Sequence, residues 1–135
     1  MTVGPDDPVS MLMHEDVVSV DPGATLRELC ETMIERGIGS VVVSEERQVT
    51  GIVTERDVVA SLADGADPDE VTAGDIMSEG PMCADPGDSV RYTAERMLQA
   101  GVRHLPILGS GDAAVGKISA RDLFSALTEK AWAEP

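Results

Sequence analysis

The chain has 135 residues, of which 42% are apolar, 26% charged and 2% aromatic. That is enough for one ordinary globular domain or two half-sized ones, with a core that must be aliphatic because Tyr92, Phe124 and Trp132 are the only aromatic residues. So few aromatics exclude an aromatic base-stacking platform, and 25 acidic against 10 basic residues, a formal charge of -15, argues against nucleic acid as a partner.

Along the chain, residues 8–13 read as a lead-in and Val17 to Val20 as a short strand. Thr25-Leu26-Arg27-Glu28 has the form of a capping box, and Leu26, Leu29, Cys30, Met33 and Ile34 follow helical spacing. Gly37 suits the left-handed residue that closes such a helix. Ser40 to Val43 and Val49 to Val53 read as antiparallel strands about a polar turn, and a second helix runs from Thr54 to about Ala63. Asp64 to Met77 reads as a linker followed by a second lead-in. The plan then repeats: strand Met82 to Ala84, helix Val90 to Ala100, Gly101, strand His104 to Leu108, a Gly-Ser-Gly-Asp turn, strand Val115 to Ile118 and helix Ala120 to Lys130.

This repetition is explicit in the residues. At an offset of 64, Asp21-Pro22-Gly23 meets Asp85-Pro86-Gly87, Met13 meets Met77, Met33 meets Met97 and Gly37 meets Gly101. After one inserted residue, which falls within Ser44 to Thr50, Gly51-Ile52-Val53-Thr54-Glu55-Arg56-Asp57 aligns with Gly116-Lys117-Ile118-Ser119-Ala120-Arg121-Asp122. The expected architecture is α/β (α+β): two β-α-β-β-α units, 8–67 and 68–131, packed pseudo-symmetrically through small sheets that neither could cover alone.

The duplicated Gly-apolar-apolar-(Thr/Ser)-x-Arg-Asp sits where a strand enters a helix, a place that favours an anion. There the glycine permits close approach, the hydroxyl can donate to a phosphate oxygen, and the carboxylate can accept from two ribose hydroxyls. Thr54-x-x-Asp57 and Ser119-x-x-Asp122 also read as plain capping boxes. The shared glycine and arginine exceed what a cap needs, which favours a duplicated ligand site. Other candidates carry less. Cys30 and Cys83 have no redox or metal spacing, His14 has no partner at ligand spacing, the methionines suit core positions, and no nucleophile stands with an activating base.

Through the two motifs, the Gly101-Val102-Arg103-His104-Leu105-Pro106-Ile107 strand start and the Asp75-Ile76-Met77-Ser78 lead-in, residues 8 to 130 resemble a tandem cystathionine β-synthase (CBS) domain pair, the Bateman module. The resemblance implies a disc-like pair with two clefts for an adenosine-containing ligand: AMP, ADP, ATP, NAD or S-adenosylmethionine. By position, the cleft of the first motif would use Thr54, Arg56, Asp57, Pro81, Met82, Arg103, His104 and Arg121. The cleft of the second would use Val17, Val18, Gly39, Arg103, Lys117, Ser119, Arg121 and Asp122. Thr54 and Ser119 would serve phosphate, Asp57 and Asp122 ribose, Arg103 and His104 phosphate with Arg56 and Arg121 nearby, and Val17, Val18, Pro81 and Met82 the adenine; Lys117 would face the base, bridge to phosphate or snorkel.

Two departures point to unequal clefts. Gly39-Ser40-Val41-Val42 replaces the Arg103-His104-Leu105-Pro106 of the second unit, and Lys117 stands where the first unit has Ile52. The expected protein is a non-enzymatic, stand-alone regulatory module, an energy or stress sensor that signals to a separate partner. It is expected to be a homodimer in the cytoplasm, since no run approaches the roughly 18 apolar residues of a membrane span and Met1 to Asp7 lacks a signal peptide's pattern. No metal, cofactor, nucleic acid or membrane partner is expected. The alternative is a ligand-independent interaction module that keeps the fold.

Overall fold

In the computed structural model, residues 2–133 are described, and they fall into two compact units. One comprises Val17–Pro81; the other joins Met1–Asp16 to Met82–Pro135.

The unit Val17–Pro81 begins with β1 (Ser19–Val20) and α1 (Leu26–Arg36). Thr25 caps α1 as expected: its hydroxyl accepts from the Glu28 N–H at 3.2 Å, and Gly37 closes the helix at φ 63°. β2 (Ser40–Glu45) and β3 (Gln48–Thr54) form a hairpin whose register, Glu45 opposite Gln48, leaves a two-residue turn. Both turn residues, Glu46 at φ 49° and Arg47 at φ 68°, are left-handed, which matches the twist of the paired strands. α2 (Glu55–Ala63) follows, then α3 (Ala73–Ile76) and β4 (Ser78–Glu79), which completes a sheet in the order β1-β2-β3-β4. Leu26, Leu29, Met33, Val41, Val43 and Val53 form the core between the sheet and its helices.

The other unit repeats this plan with a shorter sheet. It has a short 3-10 turn at Val9–Met11, then α4 (Val90–Ala100), β5 (His104–Leu108), β6 (Ala114–Ser119) and α5 (Ala120–Ala133). α4 and β5 have the bounds read from the sequence, and Gly101 closes α4 at φ 68°. The expected strand Met82 to Ala84 reduces to one bridge from Ala84 to Ile107, and His14 bridges Lys117 on the opposite side. The inserted residue lies in the turn between β5 and β6, around Gly111 at φ 71°. Val9, Ala84, Met97, Leu105, Ile107 and Ile118 form this core. Among the described residues each unit fully buries one polar side chain, Ser40 in the first and Thr93, where the first repeat has Leu29, in the second.

Two expectations need correction. The lead-ins are exchanged relative to chain order. Residues after the linker pack on the first repeat, where the Leu26 N–H donates to the Val71 carbonyl at 2.8 Å and the Ala73 N–H to that of Ala24 at 2.7 Å. The N-terminal residues pack on the second repeat through equivalent bonds, Val90 N–H to Asp7 carbonyl at 2.9 Å and Val9 N–H to Asp88 carbonyl at 2.7 Å. Each lead-in therefore satisfies open N-terminal N–H groups of the helix in the repeat that chain order does not assign to it. The second correction is Ile34, counted on the apolar face of α1 but 84% exposed. Its equivalent Leu98 is 83% exposed, while the neighbouring Met33 and Met97 are buried, so each residue lies at the edge of its helix's apolar stripe and faces away from the core.

Candidate functional site

Both copies of the motif have the same local geometry. Thr54 ends β3 and caps α2: its N–H donates to Asp57 Oδ2 at 2.8 Å, its hydroxyl donates to the same oxygen at 3.0 Å, and the Asp57 N–H donates to Thr54 Oγ1 at 3.3 Å. Ser119 and Asp122 repeat these bonds at 2.8, 2.9 and 3.1 Å. The capping reading of the motif is thus realised in both repeats, with one oxygen of each carboxylate committed to the cap. The strand before each motif is tied to it as well: the Glu55 N–H donates to the Gly39 carbonyl at 3.0 Å, and the Ala120 N–H to the Arg103 carbonyl at 2.8 Å. This sets Gly39 beside the first motif and Arg103 beside the second.

The motif glycines admit a neighbour, and that neighbour is a lead-in methionine. A Cβ on Gly51 would overlap the Met77 side chain, and one on Gly116 would overlap Met13. Sequence reading missed this pairing, although the alignment of Met13 with Met77 across the repeats was its signal.

The copies differ in what surrounds the carboxylate. His14 Nε2 lies 2.7 Å from Asp122 Oδ1, with the imidazole 67% exposed and the carboxylate 18%. A carboxylate only accepts, so Nε2 carries the proton of this bond. No spacing rule could link residues 108 apart; the exchanged lead-in brings them together. Lys117 pairs through its backbone with His14, at 2.9 and 3.0 Å. Burial pulls the Lys117 ammonium below the ordinary lysine range, and the nearby Asp122 carboxylate opposes that fall. In the first repeat the equivalent positions are Ser78 and Ile52.

The remaining candidates divide between the units. Thr54, Arg56, Asp57 and Pro81 lie in Val17–Pro81 with Val17, Val18 and Gly39; Met82, Arg103, His104, Lys117, Ser119, Arg121 and Asp122 lie in the other. Arg56, Arg103 and Arg121 are exposed and His104 is half-buried. Val18 packs on the first core and Met82 on the second. An open hollow of about 370 Å³ runs along α2 from Asp57 past Ser61 to Asp64, with Ile76 on its wall. Cys30 and Cys83 are half-buried thiols outside any disulfide, and burial raises Cys83 above the ordinary thiol range. Among the described residues no three His, Cys, Asp or Glu side chains converge as a metal site, and no helix is long and apolar enough to cross a membrane.

The family model described as the CBS domain matches residues 9–64 and again 73–129. The chain belongs to the CBS domain family. Its relatives include an uncharacterized protein of Methanopyrus kandleri, 36% identical over 118 residues, which cover 86% of this chain and 60% of that protein. The chain thus spans less than two thirds of that relative. Among solved structures, the CBS domain pair of protein MJ0100 in complex with 5'-methylthioadenosine and S-adenosyl-L-methionine superposes with a TM-score of 0.86, at 19% identity over 93% of this chain and 99% of that one. CBSX2 in complex with AMP superposes at 0.80, with 17% identity over 93% and 98% of the two chains. At these identities the likeness shows the CBS-pair fold.

Proposed function

We propose that the chain is a non-catalytic regulatory module that binds an adenosine-containing ligand at its two motifs and signals to a separate protein. The observation that carries this reading is the duplicated hydroxyl–carboxylate pair at a helix N-terminus, with the same bonds in both repeats and an arginine before each carboxylate. The adenosine-derived ligands bound by the two structural neighbours support it. Asp57 and Asp122 accept from the ribose hydroxyls, Thr54 and Ser119 serve phosphate by turning to it the hydroxyl proton that each gives its carboxylate without ligand, and Arg56, Arg103, His104 and Arg121 supply the positive charge that an acidic chain otherwise lacks at a phosphate site. Val17, Val18, Pro81 and Met82 flank the base. The proposed setting is the cytoplasm.

A thermal-melt series against AMP, ADP, ATP, NAD and S-adenosylmethionine tests this. Binding to the folded state alone adds about 2.7 kcal/mol at a hundredfold excess over Kd. One of the five should give a saturable rise in Tm. A flat response to all of them contradicts the proposal.

A second reading, an assembly surface, has its own observation. Ile34, Val59 and Leu62 are exposed in the first repeat, and so are their equivalents Leu98, Phe124 and Leu127 in the second. Recurrence of the same apolar positions in both repeats fits helical faces that meet a second copy of the chain. The proposed assembly is therefore a homodimer.

A further inference from the structure

His14, Ser119 and Asp122 lie in one unit, and the first two nearly exhaust what the carboxylate of the third can accept. An ionised carboxylate offers about four acceptor positions, two on each oxygen. On Asp122, Oδ2 takes the Ser119 N–H at 2.8 Å and the Ser119 hydroxyl at 2.9 Å, and Oδ1 takes His14 Nε2 at 2.7 Å. These three bonds leave about one position open. The vicinal diol of a ribose has two O–H groups to donate, so Asp122 with both bonds in place accepts only half of it.

The first repeat has the same carboxylate without this restriction. Asp57 Oδ2 takes the Thr54 N–H and hydroxyl in the same way. The lead-in residue there is Ser78, which pairs with Ile52 as His14 pairs with Lys117. Among the described residues no side chain donates to Asp57 Oδ1, so both hydroxyls of a diol find an acceptor on it.

Phosphate changes the count at Asp122. When the Ser119 hydroxyl turns to a phosphate oxygen it vacates a position on Oδ2, and each carboxylate oxygen then has one to offer, which matches the two hydroxyls of the diol. His14 need not move for this: its backbone is held by Lys117 on β6 at 2.9 and 3.0 Å, and its side chain stays on Oδ1. A nucleoside without phosphate leaves Ser119 in its cap and one of its own hydroxyls without an acceptor, which costs binding.

We propose that His14 is a specificity-determining residue: by holding one acceptor position of Asp122 it makes ribose recognition there depend on a phosphate that draws Ser119 away, so the second motif selects nucleotide over nucleoside. This rests on the adenosine-ligand reading above and adds to it the residue that makes the choice.

Calorimetric titration of adenosine and AMP into Asp57→Ala, where only the second motif keeps its carboxylate, tests it. The same protein is compared with added His14→Ser, which installs the residue of the equivalent first-repeat position, and with added His14→Gln, which keeps an N–H donor. The imidazole is 67% exposed, so the fold should tolerate both changes. With His14 in place AMP should bind more tightly than adenosine. In His14→Ser adenosine should tighten until the ratio of AMP to adenosine affinity has fallen about tenfold, the contribution of one hydrogen bond to a charged group, and in His14→Gln the ratio should stay. An unchanged ratio in His14→Ser, or an equal fall in both variants, overturns the role of His14 and leaves the adenosine reading standing. So does AMP binding to the unaltered chain that vanishes in Asp57→Ala. Failure of both compounds to bind the unaltered chain also overturns it, and the melt series then decides separately on the adenosine reading.

Discussion

The Met77 side chain occupies the space that any Cβ at Gly51 would need, and Met13 stands in the same relation to Gly116. Each glycine belongs to a site motif, and each methionine belongs to the lead-in that chain order assigns to the other repeat. The motif glycine is thus a packing requirement of the exchanged arrangement, independent of any ligand. Gly51→Ala and Gly116→Ala should each destabilise by about 1–3 kcal/mol through overpacking. Pairing Gly51→Ala with Met77→Ala should recover part of that loss, as a double-mutant cycle in urea would show. Strict additivity of the two changes would contradict the contact.

The cap and the proposed ligand role of the motif carboxylates separate by chemistry. Asp57→Asn keeps an oxygen that can accept from the Thr54 N–H, while Asp57→Ala leaves that donor without its partner. Chemical denaturation should find the alanine variant less stable by about 1 kcal/mol, within the range for lost caps, and the asparagine variant less affected. Asp122 should behave alike, since its bonds are the same. No loss in the alanine variant would show that the cap contributes nothing, and equal losses for Asn and Ala that an amide oxygen does not replace the carboxylate.

Lys117 gives a pH dependence of stability with a definite sign. Its ammonium is held below the ordinary lysine value of 10.5 by burial, so between the folded value and the unfolded one the unfolded chain binds more protons. Stability therefore rises with pH across that alkaline window and is diminished below it. Lys117→Met should flatten this alkaline rise in urea-denaturation midpoints. A rise that persists unchanged in the variant would assign it to another group.

Much of the fold was legible because local chemistry agreed with it. The Thr25 box and Gly37 marked both ends of α1, Gly101 the end of α4, and β-branched runs the hairpin strands. Ile34 was misread because helical spacing identifies an apolar stripe without saying how wide a part of it the core covers: Met33 is buried and Ile34 beside it is not. β4 and the His14–Asp122 bond were out of reach because both depend on the exchange of lead-ins, a tertiary fact that no local pattern encodes; the methionine–glycine contacts depend on it too and left one trace, the alignment of Met13 with Met77. Of the site, the motif residues and the capping reading were legible, and the partner of Asp122 was not.

The exposed apolar positions give a test of assembly. Ile34→Glu with Leu98→Glu places charge on two surface positions that are 84% and 83% exposed, so the fold of the isolated chain should tolerate both. Sedimentation should find a dimer for the unaltered chain and a monomer for the double variant. An unchanged sedimentation coefficient would remove these helix ends from the interface.

The adenosine-ligand reading meets its most direct test in calorimetric stoichiometry with the nucleotide that raises Tm, measured on the unaltered chain, Asp57→Asn, Asp122→Asn and the double variant. Each asparagine should weaken one site at least tenfold, since a hydrogen bond to a charged group contributes about 1.5–3 kcal/mol, and the double variant should bind at neither. Full-affinity binding in the double variant would contradict the account.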